Sequence, residues 1–576
     1  MNTLFFGDNL EVLRDRVPDN SVDLIYLDPP FNSKAVYNIL YKTPVGGDAQ
    51  VRAFEDFWGW EKDGAAKALD DLSRRDAMTF NVLKALQVVL GRSDLMAYLA
   101  MMAVRLVELK RVLKPEGSIY LHCDPTACHY LKIVLDAVFG GFGFVNQITW
   151  KRSHAHNDGA QGSKHYGRIS DVILFYSQSP HRAWTTQYTP YDQAYIDRDY
   201  RRLDEDGRRY RLDNIQGPGG AEKGNPFYEV MGVSRHWRYS RDRMKKLIDE
   251  GRIIQTRPGA VPQLKRYLDE MPGVAAQEIW ADIPIISNRS KEHLGYPTQK
   301  PLALLQRIIS ASSREGDVVL DPFCGCGTAI HAAETLNRQW IGMDVSYVAI
   351  QVIEDRLKTW LPTTKYRIDG IPFDEMSAAK LARQRPYTFQ QWAVGRLGGQ
   401  PRGMGADGGI DGEIAFMTGA TTYGRGIVSV KGGGCGPDDI RALRGVLERE
   451  DADVGIFVCF EPTKTMRAEA NDSGRVDLPG GNRSRLQIVT VAELIAGPNT
   501  GIVTQLNTIT SAQAAKALAR KKPPKRPTAE DLRREPPLPP MGLTGGRKAK
   551  QQPLPLDEPI LVSQRERSVR SRRAQS

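Results

Sequence analysis

An α/β protein with a doubly wound sheet is what the sequence predicts, on three observations. Short apolar runs of strand length recur between turn-forming residues. Stretches long enough for helices separate them, and no internal repeat interrupts the alternation. Taken in order, Asp23-Leu-Ile-Tyr-Leu27, Gly117-Ser-Ile-Tyr-Leu-His122 and Asp317-Val-Val-Leu320 read as buried parallel strands. The strongly apolar stretch 94–114 reads as a helix feeding the strand at 117, and 302–310 and 328–337 also read as helices. A second α/β section begins near residue 370, with strands at Ile427-Val-Ser-Val-Lys431 and Val454-Gly-Ile-Phe-Val-Cys-Phe460 and a helix over 438–449 between them.

With 576 residues the chain is too long for one core, so two to four domains are expected. The predicted boundaries are a first domain over 1–360, a linker over 361–385, a second domain over 386–510 and a tail over 511–576. In the tail, Lys521-Lys-Pro-Pro-Lys-Arg-Pro527 and Glu535-Pro-Pro-Leu-Pro-Pro540 mix prolines with like charges and offer little to bury, which predicts disorder. The tail holds 16 Lys/Arg against 6 Asp/Glu, whereas residues 1–510 hold 63 against 62. All but one of the net +11 charges therefore belong to the tail, which can bind polyanions without sequence preference.

Hydrophobic residues at 41% and charged residues at 26% describe an ordinary globular protein. No run approaches 18 consecutive apolar residues, so no membrane span is expected. Met1-Asn-Thr-Leu-Phe-Phe-Gly-Asp8 lacks the basic and apolar regions of a secretory signal. Six scattered cysteines make no disulfide framework, and Cys324-x-Cys326 has no second pair at zinc-site spacing. A cytoplasmic location is the expectation.

Two segments carry chemistry. Leu27-Asp28-Pro29-Pro30-Phe31-Asn32 follows a buried strand, and in an open α/β sheet ligands bind at such strand ends. The prolines remove two backbone donors, so the loop presents acceptors beside an aromatic ring. That set suits a planar group with an exocyclic amine, although a tight turn with a core phenylalanine would read alike. Asp317-Val-Val-Leu-Asp-Pro-Phe-Cys-Gly-Cys-Gly-Thr328 is a strand running into a glycine loop and then a helix. It lacks the third glycine of the dinucleotide fingerprint. Trp340-Ile-Gly-Met-Asp344, about twenty residues on, puts a carboxylate where ribose hydroxyls are gripped. A nucleoside cofactor without phosphates is implied.

Asp28-Pro-Pro-Phe31 and Asp321-Pro-Phe-Cys-Gly-Cys-Gly-Thr328 resemble the catalytic and cofactor motifs of S-adenosylmethionine-dependent DNA amino-methyltransferases. Gly7-Asp8-Asn9 resembles their adenine-contacting acidic motif, and Tyr296-Pro-Thr-Gln-Lys-Pro301 the segment that closes over the methionine end. Phe144-Val-Asn-Gln-Ile-Thr-Trp-Lys-Arg152 and Arg168-Ile-Ser-Asp-Val-Ile-Leu-Phe-Tyr176 also resemble family signatures. The catalytic motif lies about 290 residues before the cofactor loop, an order similar to the permuted beta group.

The resemblance implies a Rossmann-like methyltransferase fold over roughly residues 1–360. It implies catalytic Asp28, Pro29, Pro30 and Phe31, with Asp28 and the Pro29 carbonyl orienting the amine and Phe31 stacking on the base. It also implies a cofactor site of Asp8, Thr298, Lys300, Pro301, Asp321, Phe323, Gly325, Gly327, Thr328 and Asp344. The expected reaction is direct methyl transfer to a flipped base in duplex DNA. Asp rather than Ser at the head of the motif resembles adenine-N6 enzymes; a cytosine-N4 enzyme is the alternative. A homodimer and a separate restriction subunit are further partners that the resemblance allows.

Residues 181–280, between the motifs, are the candidate DNA-recognition insert. They hold 12 aromatics and 18 Lys/Arg against 15 Asp/Glu. Arg235-His-Trp-Arg-Tyr-Ser-Arg-Asp-Arg-Met-Lys-Lys246 interleaves basic and aromatic groups that can bind phosphates and stack bases. A solvated helix face with extended arginines fits the same strip.

In the second section, Gly405-Ala-Asp-Gly-Gly-Ile-Asp411-Gly412 followed by Ile427-Val-Ser-Val-Lys431 resembles Mrr-type restriction-endonuclease-like domains. Asp411 matches their metal ligand and Lys431 its catalytic partner. Ser429 stands where an acid or Gln is expected, and Phe389-Gln390 where a helical Glu often stands. Too few carboxylates remain for a hard cation, so a DNA- or partner-binding domain is favoured. The alternative is an active Mg²⁺-dependent nuclease in a bifunctional restriction–modification chain, and a simple glycine-rich hairpin is the third reading.

Overall fold

The structure, a computed structural model, describes residues 1–497 except 31–35, 43–47, 56–59, 61–63, 154–163, 288, 295, 297, 403–408, 418–422 and 479–480. The disorder expected for 511–576 therefore lies outside the described residues, as does Phe31. Among the described residues no helix is long and apolar enough to cross a membrane.

The chain opens with strand β1 (Asn2–Phe6) and helix α1 (Asn9–Arg16), capped by the Asp8 side chain. Strand β2 (Val22–Leu27) follows. Helix α2 (Asp94–Val112), capped by Ser93, is apolar on nearly every side because it is buried between the sheet and neighbouring helices. It ends two residues earlier than expected and passes directly into β3 (Leu113–Cys123). Val22 pairs with Leu113 before the ladder is interrupted, so strand pairing outweighs helix propensity there.

Helix α3 (Cys128–Phe139), β4 (Phe144–Lys151) and β5 (Ser170–Ser177) come next. Beyond the insert lie β6 (Ile279–Trp280), α4 (Leu302–Ser312), β7 (Val318–Asp321), α5 (Thr328–Thr335), β8 (Gln339–Asp344) and α6 (Tyr347–Trp360).

These strands and β9 (Tyr366–Asp369) form one nine-stranded sheet in the order β6-β4-β5-β3-β2-β7-β8-β1-β9. Only β5 runs against the rest. Helices cover both faces, which is the doubly wound arrangement. Strand order reverses between β2 and β7, which pair in parallel through Leu24–Val319 and Ile25–Leu320. The loops after these two strands therefore meet at the switch point.

Residues 361–385 are not a linker. They supply β9, which pairs with β1, and helix α7 (Glu375–Gln384), capped by Asp374. Next comes α8 (Pro386–Arg396), which packs on α6. Gly395 makes that approach feasible, since a Cβ there would lie 2.4 Å from the Tyr347 ring.

The second sheet has the order β10 (Gln400–Pro401), β11 (Gly412–Met417), β12 (Tyr423–Val430), β13 (Val454–Cys459), β14 (Leu486–Thr490). Its first three strands pair antiparallel and its last three parallel, with helix α9 (Pro437–Arg449) between β12 and β13. Trp340, Tyr347 and Ile353 from the first section share one hydrophobic cluster with Phe389, Trp392, Ile414, Val428 and Ile456 from the second. One hydrophobic cluster thus runs through both sections, while the other face of the second sheet packs its own cluster around Ile427, Leu443 and Phe457.

The insert folds apart from the main sheet. Strands Arg202–Leu203, Arg209–Asn214, Gln263–Tyr267 and Ile253–Ile254 make a small antiparallel sheet, beside the hairpin Phe227–Val230 and Val233–His236. Trp237, expected among base-stacking groups, is fully buried with Tyr228, Met244 and Leu247, and its Nε1 donates to the Tyr228 carbonyl at 2.8 Å. A flat apolar ring is worth more in this small core than on the surface. Arg235, Arg238, Arg241, Arg243, Lys245 and Lys246 remain exposed.

Candidate active site

The site lies where the loops after β2 and β7 meet. Strand β2 carries Asp28 just past its carboxyl end, followed by buried Pro29 and half-buried Pro30. Asp28 Oδ2 accepts a bond from Lys300 Nζ, and the two side chains form an ion pair. Asp28 Oδ1 is shielded from solvent and has no hydrogen-bond partner among the described residues. A buried acceptor left in this state costs about 1–3 kcal/mol, which marks it as an acceptor set for a donor.

Strand β7 ends at Asp321, whose Oδ1 accepts the Phe323 N–H at 3.0 Å. Burial pushes the Asp321 carboxyl well up, and the negative Asp28 and Asp344 add to the effect. Phe323 is half-buried against the core. The loop turns through Gly325 and Gly327 at φ +49° and +75°. A Cβ on Gly327 would lie 2.9 Å from Ile353, so both conformation and space require glycine there. Asp344, at the end of β8, accepts the Gly325 N–H at 2.9 Å and the Ser346 N–H at 2.8 Å, which ties the acidic position to the glycine loop. Burial raises its carboxyl to about 6.

Asp8 lies beside them, because the Gly7 N–H donates to the Asp344 carbonyl at 3.0 Å. Its carboxylate caps α1 through the Leu10 N–H at 2.8 Å and pairs with Arg105 at 2.9 Å. Arg105 also holds Asn9 at 2.6 Å, and Asn9 donates to the Pro322 carbonyl at 2.7 Å. This buried chain braces the loop after β7 from α2. Thr298 is half-buried and its carbonyl accepts from Lys300 at 3.5 Å; Pro301 is buried at the start of α4. Lys300, expected on the cofactor side, thus lies against Asp28. Tyr296 is buried against Gly325 and Cys326. Thr328, the first residue of α5, accepts from Arg356 at 3.1 Å.

Sequence reasoning missed a buried relay behind Asp28. Tyr26 Oη and His122 Nδ1 are 3.0 Å apart, His122 Nε2 and Asp171 Oδ2 3.2 Å, and Arg152 Nε and Asp171 Oδ1 2.8 Å. Burial and the charges of Asp28, Asp321 and Asp171 push the Tyr26 hydroxyl up. Burial opposes ionisation of Asp171, but the His122 bond and the nearby cations hold its carboxyl low. The relay draws on β2, β3, β5 and the residue just past β4, so no local motif could reveal it. Arg356, which meets the glycine loop only through the packing of α6, was missed for the same reason; Val345, directly after Asp344, is exposed and was not singled out.

In the second section Asp411 Oδ2 accepts the Val430 N–H at 2.6 Å, and the Gln390 amide donates to the Asp411 carbonyl at 3.0 Å. Lys431 pairs with Asp439 at 3.2 Å, and Ser429 is buried. Among the described residues no three His, Cys, Asp or Glu side chains cluster as metal ligands.

Fold and site together place a buried carboxylate at the end of one strand beside a glycine loop and a second acidic residue at the ends of its neighbours, in a doubly wound α/β sheet. The family profile described as DNA methylase (N6_N4_Mtase) matches residues 22–355, more than half of the chain, and the chain belongs to this family. It is 31% identical over 263 residues to the type II methyltransferase M.EcaI of Enterobacter cloacae, covering 45% of this chain and 57% of that protein. It is 27% identical over 354 residues to the StyLTI Mod subunit, a type III restriction-modification enzyme subunit of Salmonella typhimurium, covering 59% and 50%. The DNA adenine methyltransferase YhdJ of Escherichia coli K12 is 25% identical over 344 residues, covering 60% and 78%. The chain thus spans about half the length of the first two relatives.

Proposed function

We propose that the chain methylates adenine N6 in duplex DNA with S-adenosylmethionine as donor. The observation that carries this reading is the buried Asp28 Oδ1, unpartnered among the described residues and one strand away from the glycine loop. The residues present fit the cofactor: the loop after β7 turns through Gly325 and Gly327 at positive φ, Asp344 offers a carboxylate to ribose hydroxyls, and Val345 offers an apolar face to a purine. Asp321, Phe323, Gly325, Gly327 and Thr328 would border its methionine portion, with Thr298, Lys300 and Pro301 closing from the start of α4. When bound, S-adenosylmethionine supplies an electrophilic methyl group.

Asp28 Oδ1 would accept one N–H of the target amine and the Pro29 carbonyl the other. The nitrogen lone pair is then turned out of the ring plane, and Asp28 is placed to take the proton that the nitrogen sheds. Lys300 fixes the carboxylate through Oδ2, so that Oδ1 is aimed without reorganisation. The base must leave the duplex stack to reach this depth. Asp at the head of the motif and the likeness to an adenine methyltransferase support adenine over cytosine.

The exposed basic residues of the insert would meet DNA phosphates. The second section would hold DNA or a partner protein without cutting, since Ser429 and Gln390 stand where carboxylate ligands for Mg²⁺ are expected. Labelled methyl transfer to genomic DNA, followed by single-molecule mapping of modified bases, tests the whole reading. Modified adenine at one sequence supports it; no transfer to any duplex overturns it.

A further inference from the structure

Arg356, on α6, is 4% exposed and lies directly beneath the glycine loop. Its Nη1 donates to the Cys326 carbonyl and to Thr328 Oγ1, both at 3.1 Å, and its Nε to His331 Nδ1 at 3.0 Å. Every one of these acceptors is neutral. Burial and Arg356 itself lower His331 to about 4, and burial raises the Cys326 thiol. Among the described residues no carboxylate forms an ion pair with Arg356; Glu292 acts on it only through space. A buried cation without a paired anion costs several kcal/mol, so its place needs a reason.

The reason lies in what it holds. Helix α5 begins at Thr328 with Gly327 as its cap and no side-chain bond from that cap to its first N–H groups. The partial positive end of the helix lies at Thr328, and the buried Arg356 is bonded to that same residue. Thr328 Oγ1 accepts from Arg356 and also hydrogen-bonds Cys326 Sγ at 3.6 Å, so the arginine fixes the hydroxyl at the first turn of α5.

We infer that Arg356 is a positioning residue for the α-carboxylate of the cofactor, shaping the start of α5 through Thr328 and the Cys326 carbonyl and supplying the buried charge that the carboxylate neutralises. The inference rests on the S-adenosylmethionine reading given above.

Calorimetry on the full chain with S-adenosylmethionine and with decarboxylated S-adenosylmethionine tests it. R356M should weaken the carboxylate-bearing ligand about 10- to 100-fold and the decarboxylated one by less than about threefold. T328V, a milder change, should show the same selectivity at about 3- to 10-fold. R356K should retain part of the preference. Equal weakening of both ligands, or no change in either, overturns the inference in favour of a purely structural role. If R356M does not fold, T328V and R356K decide. Failure of the unaltered chain to bind either ligand overturns the functional reading itself, an outcome distinct from loss of selectivity.

Discussion

Lys300 and Asp28, 272 residues apart, form an ion pair that uses one oxygen of the Asp28 carboxylate and leaves the other buried and, among the described residues, unpartnered. D28N should therefore lower the methyl-transfer rate by about 10²- to 10³-fold while cofactor affinity stays within about threefold. Single-turnover kinetics beside calorimetry separate the two. A D28N protein that transfers at the normal rate would remove Asp28 from the chemistry.

Asp344 predicts a pH effect. Its raised carboxyl is protonated below about 6, and a protonated group loses an acceptor for ribose. Cofactor affinity should fall about tenfold between pH 7 and pH 5, and D344N should flatten that profile. The sign for stability is opposite. A folded-state value above the unfolded one means the folded chain binds more protons, so this group alone stabilises the ligand-free protein as pH falls from about 6 toward about 4.

Trp237 and its basic neighbours should separate cleanly. W237A removes the largest side chain of the insert's own core and should cost about 3–5 kcal/mol, seen as a lowered thermal transition. R235A and R238A should leave that transition in place and reduce the salt slope of DNA binding, by about one for each lost phosphate contact. Unchanged salt dependence in the double variant would move the DNA-binding face elsewhere.

Residues beyond 360 should not be dispensable. Ending the chain there uncovers Tyr347, which packs on Gly395, and removes the Arg385–Glu11 ion pair at 2.5 Å. Each uncovered large apolar side chain costs about 1.5–3 kcal/mol, against about 5–15 kcal/mol for a whole domain. The shortened chain should melt lower or aggregate, measured by calorimetry and size exclusion. Undiminished stability would show that the shared core is incidental.

The second section should leave DNA intact. Unmethylated plasmid with Mg²⁺ or Mn²⁺ should remain supercoiled, equally for the unaltered chain and for K431A. Cleavage lost in K431A would establish an active nuclease instead.

By itself the sequence determined the strand-loop-helix around Gly325 and Gly327, the acceptor loop after Leu27 and the acidic residue at the end of β8. Those features are local: apolar run length, proline and glycine set them within a few residues. Only the tertiary structure decided that Lys300 faces Asp28, that Trp237 is core, that residues 361–385 complete a sheet, and that Arg356 carries a charge beneath the loop. Each of these depends on strand order and helix packing between distant segments, where burial and pairing geometry override what a residue's own neighbourhood suggests.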